Sequence, residues 1–249
     1  MMEEQIAKRR WVSVVGILAA ISLLGTVIMG LWVTPDDAVQ GAVVRLVYIH
    51  PPMAWVALYL AFGLSAVASL LYLWPRTRND RWDALAASAV EVGVVFNGLT
   101  LLTGAIWGRD TWGVWWTWDA RLTSTAILLL LFLGYMAIRR IPADPEIRAR
   151  RCAIMAIFAF VDVPIVHFSV LWWQTLHQSA TVLNAKLHPT IHGSMAWTLL
   201  LGFVAFTLLF VWMVALRFAI EKRQASQARS ELDEAIRERR AETSEQSAS

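Results

Sequence analysis

The sequence predicts an all-α integral membrane protein, a bundle of six helices with both termini cytoplasmic. Three observations predict it. The 249-residue chain is 57% hydrophobic and only 16% charged, well outside the balance of soluble domains. Its apolar residues gather into six runs, close to or above the roughly 20 residues that a helix needs to cross a bilayer. Its cations gather between those runs with a strong bias to one side.

The runs are Trp11–Val33, Tyr48–Trp74, Ala84–Trp107, Leu122–Ile138, Cys152–Trp173 and His192–Phe218. Backbone polar groups must be satisfied inside lipid, and no run alternates as a barrel strand would, so all six read as helices. The first follows Lys8, Arg9 and Arg10; it is too long for the apolar part of a signal peptide and reads as a retained helix. Arg76, Arg78 and Arg81 follow the second run, five arginines from Arg139 to Arg151 follow the fourth, and seven cations from Arg217 to Arg240 follow the sixth. These segments hold eighteen of the 22 Lys and Arg and therefore lie inside. The loops Thr34–Val47, Gly108–Arg121 and Gln174–Ile191 then face outward. Residues 1–218 form one membrane domain, and the charged segment 219–249 reads as a solvated, partly disordered cytoplasmic tail. The single cysteine, Cys152, excludes an internal disulfide and a C-x-x-C-H haem attachment. The basic residues serve topology, and nothing points to nucleic acid.

Chemistry collects on the outward side. All five histidines, His50, His167, His177, His188 and His192, fall in the outer half of the topology. Their spacing does not suit zinc, which favours local pairs such as H-E-x-x-H; His188 and His192 are four apart, but Pro189 lies between them. Well-separated histidines flanking an aromatic loop suit a haem iron, which takes axial ligands from opposite faces of a flat macrocycle. The loop is "WGRDTWGVWWTWDARLTS", Trp107–Ser124, with five of the fourteen tryptophans inside twelve residues. An interfacial belt explains scattered residues such as Trp32 and Trp74, but not this cluster. Trp112, Trp115, Trp116 and Trp118 offer flat faces, and Gly108 and Gly113 let the backbone turn and approach closely. Asp119 would orient the loop, and Arg121 would meet a propionate or pair with Asp119. An alternative rests on Asp162, an acid in the fifth run that should face the bundle interior and have a partner. With His167 it would serve a small-solute or proton-coupled transporter, although Pro164 nearby also offers a purely structural reason for a polar break.

These residues resemble a known family. "WGVWWTWDARLTS" looks like the WWD signature of haem-handling proteins of cytochrome c maturation, and its "WDARLTS" ending is similar to the CcmC, or haem exporter protein C, type. "RLVYIHPPMAW" (Arg45–Trp55) and "VDVPIVHFSVLWWQTLHQSATV" (Val161–Val182) agree, and the resemblance covers roughly Trp11–Arg217. The resemblance implies a protein of the bacterial inner membrane with three periplasmic loops. It implies non-covalent, transient binding of haem b at the periplasmic face, with His50 and His177 as axial ligands of the iron and the WWD motif on Trp112–Asp119. It further implies delivery to a membrane-anchored haem chaperone (CcmE), partnership with the ABC-type subunits CcmA and CcmB and the small membrane protein CcmD, and no enzymatic activity of its own.

Overall fold

The computed structural model describes residues 2–177 and 191–248, and among these it is almost entirely helical. Helix α1 (Met2–Ile28) closes in a π-helical turn, Met29–Val33. A short 3-10 stretch, Ala42–Tyr48, leads into α2 (His50–Trp55), a π-helical segment (Val56–Ala61) and α3 (Phe62–Leu73) as one span. Then come α4 (Asp80–Trp112), α5 (Ala120–Arg140), α6 (Pro145–Phe160), α7 (Asp162–Trp172) and α8 (Gly193–Ala248). With α6 and α7 counted as one broken span, six helical segments are long and apolar enough to cross a membrane. The chain is a multi-pass membrane protein, as its sequence predicts.

Local chemistry explains the ends. Asn79, Asp119 and Asp144 cap α4, α5 and α6, each side chain accepting a hydrogen bond from an N–H of the first turn. Gly113, at φ 78°, ends α4 in the left-handed region that a side chain would resist. Gly108, expected to let the backbone turn, lies inside α4 instead; its role is close approach, since a Cβ there would sit 3.0 Å from the Trp112 ring. The α6–α7 break falls at Val161, where Pro164 cannot continue the ladder to the carbonyl of Phe160.

The spans pack through small residues, as helices in lipid must. Ala57, Ala61, Ala89, Ala156 and Ala159 are fully buried, and a Cβ on Gly93 would collide with Phe62 at 2.6 Å. Phe62 in turn stacks on Phe132 with ring centres 3.7 Å apart, joining α3 to α5. Helix α1 lies against α8 and leaves Ile21 and Leu24 about 60% exposed for lipid. At the end rich in arginine, Arg139 of α5 makes a two-pronged pair with Asp83 of α4 (2.8 and 3.1 Å) and reaches Glu221 of α8 at 3.3 Å. Arg217 binds Glu221 and Glu91, so one charge network ties three spans together. Helix α8 then continues to Ala248. Where the sequence suggests partial disorder, the segment after Phe218 extends this helix, in keeping with its many Ala, Glu, Arg and Gln; its described side chains are mostly exposed.

Candidate functional site

At the end opposite the charge network, the bundle opens into a cavity of about 620 Å³. His50, His177, Trp107, Trp112, Trp116 and Arg121 all line it. The volume suits a cofactor-sized molecule, for which pockets run roughly 300–1,000 Å³.

His50 stands at the start of α2, where Pro51 and Pro52 fill positions that need no N–H donor. Its Nδ1 lies 3.0 Å from the Thr103 hydroxyl oxygen. That hydroxyl has one proton, which it donates backward to the carbonyl of Leu99 (2.8 Å) or of Thr100 (3.2 Å). In that arrangement Thr103 accepts from His50, with the imidazole proton on Nδ1 and the lone pair on Nε2. This is the form in which histidine ligates a metal. Gly104 makes room for the ring: a Cβ there would meet His50 Cε1 at 3.0 Å.

His177 follows the end of α7, and its ring centre lies 6.3 Å from that of His50 with the planes inclined by 36°. Each histidine has a tryptophan at its edge. Trp107 meets His50 at 5.7 Å and Trp112 meets His177 at 6.2 Å, both T-shaped. Trp107 is held by its Nε1–H, which donates to the Gln40 side-chain oxygen at 2.8 Å. Gln40 is placed by Asp37, whose carboxylate accepts the N–H groups of Gln40 and Val39. Those two bonds hold the Asp37 carboxyl below the usual carboxylate range.

The structure divides the tryptophan loop. Trp112 and Trp116 face the cavity, whereas Trp115 and Trp118, 59% and 83% exposed, stand outside it. Trp116 and Trp118 touch edge to face at 5.5 Å, so the inner and outer sets are in contact. Asp119 does not line the cavity; its Oδ1 accepts the Leu122 N–H at 2.8 Å and starts α5. Arg121, two residues further on, donates to the His167 carbonyl at 2.9 Å and to the Ser169 hydroxyl at 3.4 Å. His167 also lines the cavity and is hydrogen-bonded to the Tyr59 hydroxyl. Asp162 is not brought to this wall, and its buried Oδ2 has no hydrogen-bond partner among the described residues. The pairing of Asp162 with His167 is therefore not formed. His192 is exposed and away from the cavity, while His188 lies outside the described residues. Sequence reasoning missed Tyr59, Thr103, Gly104 and Gln40, none of which carries a motif.

The chain matches the family described as Heme exporter protein C, CcmC, over residues 3–232. It belongs to that family. Heme exporter protein C of Bradyrhizobium diazoefficiens is 42% identical over 193 residues, covering 76% of this chain and 72% of the relative. The Haemophilus influenzae protein of the same name is 38% identical over 202 residues, 80% of each chain. A putative cytochrome c biosynthesis ccmC-like mitochondrial protein of Marchantia polymorpha is 34% identical over 198 residues, 79% of each. The family match runs past Arg217 into the first part of the charged segment.

Proposed function

We propose that this chain binds haem b non-covalently in the cavity and delivers it to a membrane-anchored chaperone of the CcmE type during cytochrome c maturation. The family and the names of its relatives support haem export as the process. The observation that carries the binding site is the separation of His50 and His177. A metal–nitrogen bond of about 2.0 Å on each side, with about 1.1 Å from nitrogen to ring centre, separates two axial imidazole centres by about 6 Å. The ring-centre distance of 6.3 Å is close to that spacing, and Thr103 offers His50 Nδ1–H the acceptor that the ligating tautomer needs. The tryptophans suit the macrocycle, with Trp112 and Trp116 as walls and Trp115 and Trp118 as an exposed rim beside them. Arg121 supplies a cation for a propionate. A single cysteine permits no C-x-x-C-H attachment, which suits a protein that must release its cargo.

On this reading the membrane is the bacterial inner membrane, and the cavity opens to the periplasm. The cations at the opposite end support that orientation. The chain is a delivery subunit rather than an enzyme; it works beside the ABC-type subunits CcmA and CcmB and the small protein CcmD, and any ATPase activity is theirs. The test is the absorption spectrum of the purified protein carrying haem. His50→Ala and His177→Ala should each change the axial-ligand bands; an unchanged spectrum in both variants would remove the ligand assignment.

A further inference from the structure

Inward from the two histidines, the cavity has a second polar wall built from three spans. Tyr59 and His167 both line it, hydrogen-bonded to each other with ring centres 5.8 Å apart. Arg121 lies beside them, donating to the His167 carbonyl.

The backbone is shaped to bring Tyr59 there. Nine residues separate it from His50, and at about 3.6 residues per turn a regular helix would place the two on opposite faces. The π-helical segment Val56–Ala61 winds more slowly and turns Tyr59 back toward the cavity. As a result His50, Ala54 and Leu58 line it in steps of four, and so do Pro51, Trp55 and Tyr59. Such π segments are rare and gather at functional sites.

The chemistry of the wall points to an anion. Among the described residues Arg121 makes no ion pair; its bonds go to a carbonyl and a hydroxyl. A half-buried guanidinium on a cavity wall favours an incoming carboxylate. The Tyr59–His167 pair supplies a further donor in either proton arrangement. If the phenol donates to Nδ1, the neutral imidazole keeps its proton on Nε2. If Nδ1–H donates to the phenol oxygen, the hydroxyl proton is free. One N–H or one O–H is thus left for a ligand each time.

We propose that Tyr59 and His167, beside Arg121, recognise a propionate carboxylate of haem, so that the cavity selects its cargo by an acid side chain as well as by iron. The proposal rests on the haem reading above. The experiment titrates the full-length protein in detergent with ferric haem and with the same porphyrin esterified at both propionates, following the absorption band. Wild type should bind the free acid more tightly than the diester. Tyr59→Phe and His167→Ala should each weaken binding of the free acid about tenfold, leave diester affinity within about twofold and preserve the axial-ligand spectrum. The diester complex also reports that each variant is folded. Equal weakening of both porphyrins, no weakening of either, or equal wild-type affinity for the two would overturn the propionate role while leaving haem binding intact. A wild-type protein that binds neither porphyrin would overturn the haem reading itself.

Discussion

The imidazole rings of His50 and His177 lie on the same cavity with centres 6.3 Å apart, although 127 positions separate them in the chain. Their two anchorages differ. His50 is held by a hydroxyl on α4, whereas His177 sits on a connecting segment and rests on Trp112.

The hydroxyl is the first point to test. Thr103→Val keeps the shape of the side chain but removes the acceptor for His50 Nδ1–H. Loss of such a supporting partner typically costs about 10- to 100-fold in metal affinity. Haem titration of the purified variant should show a loss in that range, with thermal stability nearly unchanged because the site is only partly buried.

Gly104 tests the space around the same ring. Gly104→Val places branched carbon where even a Cβ would be 3.0 Å from His50 Cε1. The ring must move, and the spectrum of the haem complex should lose the His50 contribution as His50→Ala does. Circular dichroism should remain helical; retention of the wild-type bands would mean that the ring tolerates the shift.

The divided loop makes a comparative prediction. Trp112→Ala removes a cavity wall and the edge contact with His177 and should weaken haem binding about tenfold, as loss of a buried aromatic anchor does. Trp118→Ala, at a position 83% exposed, should leave haem affinity within about twofold. Equal losses in the two variants would mean that the macrocycle reaches the outer rim.

Asp119 is expected to act through α5. Asp119→Ala should lower stability by about 1 kcal/mol through loss of the cap to Leu122, whereas Asp119→Ser should retain most of it. Unfolding in mixed micelles measures both. If Asp119→Ser remains stable and still fails to bind haem, the carboxylate has a role beyond capping.

The charge network at the other end should show in stability alone. Arg139→Leu strands Asp83, whose side chain is only 13% exposed, and leaves Glu221 with Arg217 alone; it should cost about 3–5 kcal/mol. The haem spectrum of whatever protein folds should match wild type, because the network lies at the far end of the spans.

Much of this protein was readable before its fold. Span count follows from the length of apolar runs, which each depend only on neighbouring residues. The runs begin at Ala84, Leu122 and Cys152, whereas the helices begin earlier, at Asp80, Ala120 and Pro145, after the caps Asn79, Asp119 and Asp144. The gathering of His50, His177, Trp112, Trp116 and Arg121 at one end was also readable, since membrane topology sorts chain positions by depth. Depth alone does not say which side of a helix a residue faces. Tertiary packing therefore decided that Trp112 and Trp116 line the cavity while Trp115 and Trp118 do not. It decided that Arg121 meets the His167 carbonyl rather than pairing with Asp119, and that Asp119 serves a helix end. It also decided the pairing of Tyr59 with His167 across 108 positions, which depends on one π-helical segment and one proline break. Apolar patterning along a helix in lipid barely distinguishes the face that meets a neighbour from the face that meets hydrocarbon, so the rotation of each span is fixed only when the spans pack.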